Sequence, residues 1–188
     1  MSFHGGFLGV VIGGALFCWR HGIAMVQAGD LMALCTAPGL LFGRLANFIN
    51  AELWGRPSDL PWAVVFPGPH AAACPPGWPG ECARHPSQLY EAGLEGLVLG
   101  LVLAWLAYRR GWLGTPGALT GVFLMGYGAA RAFVEFFRQA DPQFITAANP
   151  EGYRVFLGAG WGLTTGQLLS LPMLAIGLWL VIRARRRA

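Results

Sequence analysis

The stretch Leu41-Phe42-Gly43-Arg44-Leu45-Ala46-Asn47-Phe48-Ile49-Asn50-Ala51-Glu52-Leu53-Trp54-Gly55-Arg56 decides how this chain is read. It begins as the end of an apolar run and finishes in a polar loop. Arg44, Asn47, Asn50 and Glu52 stand where lipid-facing residues are expected. A charge left bare in hydrocarbon is very unfavourable, so Arg44 needs a partner, a ligand or water.

The composition around this stretch is that of an integral membrane protein. The 188 residues are 55% hydrophobic and 12% charged, with a mean hydropathy of +0.50. A soluble domain carries about twice that charged fraction. The net charge is +4, and every basic residue apart from histidine is arginine. These arginines are scattered between apolar segments and form no continuous stripe, which argues for topology and anionic lipid and against nucleic acid. Residues 1–188 read as a single membrane domain. No cleavable signal peptide is evident at Met1-Ser2-Phe3-His4, which lacks a basic start.

Working outward, the hydropathy pattern predicts an all-α, polytopic transmembrane bundle with about five spans: 7–19, 31–49, 89–108, 119–137 and 168–182. Glycines at 5, 6, 9, 13 and 14 suit close helix packing in the first span. Loops of about 50–86 and 138–165 are long, whereas the Arg20 and Arg109-Arg110 turns are short and basic, as is the tail 183–188. The positive-inside rule then places the tail and short turns in the cytoplasm, and the long loops and Met1 outside. Cys74 and Cys82 flank a Pro/Gly loop. A disulfide, if that loop meets an oxidising compartment, and two free thiols are both open.

Polar residues collect at the outer end of every span. His4 opens the first span, and Arg44, Asn47, Asn50 and Glu52 close the second. Arg84, His85, Ser87, Gln88, Tyr90 and Glu91 open the third. Tyr127, Arg131, Glu135 and Arg138 close the fourth, and Gln167 opens the fifth. Tyr127, Arg131, Glu135 and Arg138 fall on one helical stripe. The bland alternative is an Arg131–Glu135 pair that neutralises itself. Arg56 and Arg84 read as arginines snorkelling to the headgroups. Arg44 does not, because Glu52 and two asparagines lie nearer the surface. Two arginines from different helices at one depth suit phosphate, which accepts paired hydrogen bonds from each guanidinium. In a membrane that phosphate belongs to a phospholipid. His4 shares the layer and is a candidate general base. His85 reads first as a loop and capping element, with Pro86 in the first turn of the third span. There is no GxSxG, HExxH or P-loop, and no metal-ligand spacing.

Six blocks in order resemble the signature of the bacterial prolipoprotein diacylglyceryl transferases. They are His4-Gly5-Gly6, the 43–55 stretch, Arg84-His85-Pro86-Ser87-Gln88-Leu89-Tyr90-Glu91, Gly126-Tyr127-Gly128-Ala129-Ala130-Arg131, Val134-Glu135-Phe136-Phe137-Arg138, and Gly166-Gln167-Leu168-Leu169-Ser170-Leu171-Pro172. The resemblance implies an inner-membrane enzyme without metal, nucleotide or other cofactor. It would move the diacylglyceryl group of phosphatidylglycerol onto the lipobox cysteine of a preprolipoprotein. By motif, Arg44 and Arg131 would hold the headgroup, with Asn47, Asn50, Glu52, Glu135 and Arg138 around it. Tyr127 would position the lipid and His4 would take the thiol proton. The family usually has seven spans, and this chain begins where the third does. The missing helices would come from a further N-terminal segment or chain. Ala46 and Ala51 stand where the family typically has glycine. Two other classes compete: a non-catalytic lipid-binding scaffold, and a small anion transporter, which would need polar residues through the full depth of several spans.

Overall fold

Apolar runs of this length satisfy their backbone groups in lipid only as helices, and the chain forms five. In the computed structural model α1 is Phe3–His21, α2 Met25–Ile49, α3 Ser87–Arg109, α4 Ala118–Val134 and α5 Thr165–Arg185. The structure describes residues 3–186 apart from 76, 141, 147 and 159, with side chains from residue 8 onward and not at 142. Among these, α2, α3 and α5 are each long and apolar enough to cross a membrane, while α4 and the described part of α1 are shorter apolar helices. The all-α bundle is therefore what the sequence builds.

Helix boundaries differ where a polar residue finds a partner. The second helix starts at Met25 instead of 31, because Asp30 is fully accommodated inside it. The fourth ends at Val134. Glu135 is its C-cap, and Arg138 lies beyond it in a β-bridge with Gly55. The expected helical stripe therefore stops short of Arg138. Pro86 is the N-cap of α3, not a residue of its first turn. Gln167 closes a capping box at the start of α5: its Oε1 accepts from the Thr164 N–H at 3.1 Å.

The bundle packs through small residues. A Cβ on Gly121 of α4 would stand 2.7 Å from the Gly177 carbonyl of α5, and one on Gly96 of α3 would stand 2.6 Å from Leu41 Cα of α2. Backbones this close are the usual device for helix association in lipid. Ala37, Leu99, Leu103, Leu106, Ala107 and Leu119 form a buried core between α2, α3 and α4. The third helix widens into π-helical turns at Ala92–Val98 and Trp105–Arg109.

Two extrahelical segments meet above the bundle. In 50–86, β1 (Val64–Val65) pairs antiparallel with β2 (Ala83–Arg84), and Cys74 is disulfide-bonded to Cys82. In 135–164, β3 (Val155–Gly158) pairs with β4 (Trp161–Leu163). The segments join where Arg56 N–H donates to the Phe137 carbonyl at 2.9 Å and Gly55 bridges to Arg138, while Gly55 N–H donates within the first segment to the His85 carbonyl at 2.9 Å. Arg56 and Arg84 belong to this junction and do not snorkel. Arg56 donates from Nε to the Arg138 carbonyl at 2.9 Å and pairs with Glu151. Arg84 is buried, donating to the carbonyls of Ala71 (2.7 Å) and Ala73 (2.6 Å), with its guanidinium 4.2 Å above the Trp54 ring. Folded loop carbonyls outcompete headgroups for both cations because they are already fixed in place.

Gly55 is the tightest point of the junction. An added Cβ would stand 2.5 Å from the Phe137 carbonyl and 2.7 Å from both His85 Cβ and the His85 carbonyl. Gly55→Ala is expected to lower stability by about 1–3 kcal/mol, the scale of overpacking, read as a fall in thermal midpoint in detergent.

Candidate functional site

The polar ends of α2, α3 and α4 converge on one carboxylate. Glu91 lies on α3 and is 1% exposed. Arg44 of α2 places Nε 3.1 Å from its Oε2. Arg131 of α4 and Arg138 each place Nη1 3.3 Å from its Oε1. Arg131 also holds Glu135 through Nη2 at 2.7 Å, one helical turn on. Glu95 lies a turn deeper on the π-helical part of α3, with Arg44 Nη2 3.8 Å away. Neither Glu95 oxygen has a hydrogen-bond donor among the described residues. Gly166, at the start of α5, packs against the Glu135 carboxylate: an added Cβ would stand 2.5 Å from Glu135 Oε2.

This arrangement brings together Arg44, Arg131, Glu135 and Arg138 from the residues picked out by sequence. Arg138 arrives from the loop instead of the helix. Tyr127 lies on α4 one turn before Arg131, partly buried and stacked on Phe123 with ring centroids 5.9 Å apart. Asn47 is partly buried and Asn50 exposed, and neither side chain hydrogen-bonds to the cluster. Asn50 instead caps α2, its N–H donating to the Ala46 carbonyl at 2.9 Å. Glu52 is exposed, and its carbonyl accepts from Gln88 Nε2 at 2.6 Å. The carboxylates that meet Arg44 are therefore Glu91 and Glu95, not Glu52. His4 lies on α1, and its side chain falls outside the described residues.

Glu91 and Glu95 were legible as a pair of acids four apart at the head of an apolar span, where an ionisable residue marks a site by default. The arginines gave a second signal, since buried cations call for counter-charges.

The turn after α2 is held open by strain and by the first turn of α3. Ala51 and Leu53 have φ of 55° and 57°, a conformation natural to glycine. Ser87 Oγ donates to the Leu53 carbonyl at 3.1 Å, fixing this turn against α3. Ala51 in this conformation bears a cost of about 1–2 kcal/mol. Ala46 is exposed on the helix and crowds nothing.

Beside the cluster lies a cavity of about 950 Å³ lined by Trp54, Trp78, Arg56, Arg84, Arg138 and Glu151 among others. Arg138 faces both. At the head of α3, Trp62 Nε1 donates to the Tyr90 hydroxyl at 2.8 Å, and the hydroxyl lies 3.2 Å from His85 Nδ1. Burial, then the Arg56 charge, holds the His85 imidazole below its ordinary pKa of 6.5. Because the folded imidazole is the weaker base, the unfolded chain takes up the proton first. His85 therefore contributes stability that is complete above pH 6.5 and lost as pH falls. Thermal midpoints between pH 8 and 5 are expected to fall less steeply in His85→Phe than in the parent.

Five helices among the described residues, with guanidinium groups gathered on a buried carboxylate at one end, define a helical membrane protein with a buried polar cluster. The chain belongs to the prolipoprotein diacylglyceryl transferase family, whose family model matches residues 1–183. It is 65% identical over 185 residues to a phosphatidylglycerol–prolipoprotein diacylglyceryl transferase of Ruegeria pomeroyi, covering 98% of this chain and 62% of that protein. It is 60% identical to the enzyme of the same name from Roseobacter denitrificans, covering 100% of this chain and 63% of the relative. With a Rhodospirillum centenum relative the identity is 51%. The chain thus spans just over three-fifths of the length of these curated relatives.

Proposed function

We propose that this chain carries the phospholipid-handling part of a diacylglyceryl transferase. The reaction moves the diacylglyceryl group of phosphatidylglycerol to the lipobox cysteine thiol of a preprolipoprotein. The glyceryl carbon–oxygen bond to phosphate breaks, the phosphate oxygen keeps the electron pair, and a carbon–sulfur bond forms. Glycerol phosphate leaves. The observation that carries this reading is the convergence of Arg44, Arg131 and Arg138 from three chain segments on Glu91. Guanidinium groups in that array match phosphoryl oxygens and stabilise the charge that gathers on the departing phosphate.

The roles follow from position. Arg44 and Arg131 bind the headgroup, Arg138 joins them from the cavity side, and Glu91 and Glu135 keep the forks oriented. Asn47, Asn50 and Glu52 line the approach, and Tyr127 positions the lipid below the headgroup. His4 takes the thiol proton, whose loss is needed because the thiolate is the nucleophile. The site faces the outside of the bacterial cytoplasmic membrane, with the Arg20 and Arg109-Arg110 turns and the basic tail in the cytoplasm. The disulfide in 50–86 agrees with that side. The buried aliphatic core below the cluster argues against a path for anions across the bundle.

The test is a mass-spectrometric transfer assay. The chain is placed in phosphatidylglycerol vesicles with a lipobox peptide and its Cys→Ala control. A diacylglyceryl adduct on the cysteine peptide alone is expected. If the chain extended to the length of its relatives forms no adduct either, the transferase reading falls; if the extended chain alone reacts, the added segment completes the site.

A further inference from the structure

Asp30 is buried on α2 at the end of the bundle away from Arg44, Arg131 and Arg138, and is 2% exposed. It caps a helix to which it does not belong. Its Oδ2 accepts from Gly117 N–H at 2.7 Å, and its Oδ1 accepts from Thr120 N–H at 2.7 Å and Thr120 Oγ1 at 2.8 Å. These donors open α4, whose first N–H groups lack partners within the helix and whose dipole favours a negative charge there. The seat is tight. A Cβ on Gly29 would stand 3.0 Å from Thr120 Oγ1, and one on Gly117 would stand 2.9 Å from Val26 Cγ1.

From this joint α2 and α4 run side by side in the same direction. Arg44 lies 14 residues beyond Asp30, and Arg131 lies 14 residues beyond Gly117. At 1.5 Å per residue both guanidinium-bearing positions stand about 21 Å from the clamp. They arrive level, on the two oxygens of Glu91. A slip of one residue between the helices would move one arginine by about 1.5 Å and turn it by about 100°.

We propose that Asp30 is a positioning residue: it sets the register of α2 against α4, so that Arg44 and Arg131 meet at one depth to receive a phosphate. The phosphate part rests on the function proposed above, while the register part does not. No small-residue contact can do this alone, because glycine faces permit sliding. A carboxylate fixed by three donors does not.

The test measures register directly. Spin labels go on Phe42→Cys of α2 and Phe133→Cys of α4, 68% and 54% exposed, with Cys18 and Cys35 replaced by alanine. The labelled chain, otherwise unaltered, is expected to give one narrow distance. Asp30→Ala and Asp30→Asn are expected to displace or broaden it while helix content stays at the parent level, and to weaken phosphatidylglycerol binding to vesicles about tenfold or more, as small misplacements do. Leu103→Ala, a core truncation, should lower thermal stability and leave the distance alone. If Asp30→Ala fails to fold, Asp30→Asn gives the reading. A folded Asp30 variant with the parent distance would overturn the clamp. A displaced distance with parent lipid affinity would uphold the clamp and remove the phosphate role from the arginines.

Discussion

Glu91→Gln is expected to destabilise the protein by about 3–5 kcal/mol, the scale for removing one partner of a buried ion pair. Three guanidinium groups lean on this carboxylate from α2, α4 and the loop at Arg138. The amide leaves one neutral acceptor where two charged oxygens stood. Arg44 keeps only Glu95, at 3.8 Å, and Arg138 loses the carboxylate that holds it. Equilibrium unfolding in detergent gives the magnitude. A second reading comes from lipid: phosphatidylglycerol should stabilise the glutamine variant more than the parent, because its phosphate supplies the missing anion. Parent-like stability without lipid would mean that Glu91 is not the hub of the cluster.

The larger effect on chemistry is expected from Arg131→Ala. Glu91 keeps Arg44 and Arg138 in this variant, and Glu135 remains the C-cap of α4 by its backbone. The bundle should therefore fold. On the function proposed above the lost fork would face the departing phosphate, and transfer to a lipobox peptide should then fall about 10²–10³-fold, the range for one preorganised donor at a developing anion. The adduct is quantified by mass spectrometry against the folded fraction from circular dichroism. Transfer at the parent rate would take Arg131 out of phosphate recognition.

Much of this was legible because lipid makes sequence rules strict. Helices were fixed by apolar length, and the layer of Arg44, Arg131, Glu135 and Arg138 by the cost of burying charge. What escaped was pairing across the chain. Glu52 is next to Arg44 in sequence, yet Glu91 reaches it because α3 crosses α2 where Gly96 lets the backbones meet. Arg56 and Arg84 look like headgroup arginines until the loops fold: the 50–86 segment gives Arg84 its own carbonyls, and the 135–164 segment brings the Arg138 carbonyl to Arg56. Asp30 lies just outside the expected span 31–49, and only the start of α4, some 90 residues on, shows it to be the acceptor for two N–H groups. Periodicity describes one helix at a time, and these contacts join separate ones.

The Cys74–Cys82 bond gives the fold a chronology. It closes a short loop between the Ala71 and Ala73 carbonyls that Arg84 gathers and the strand at Ala83. Helices can pair as soon as they enter lipid, but this staple waits for an oxidant. During biogenesis the membrane bundle can therefore be built first and its cap locked afterwards, making the polar chamber the last part of the molecule to mature.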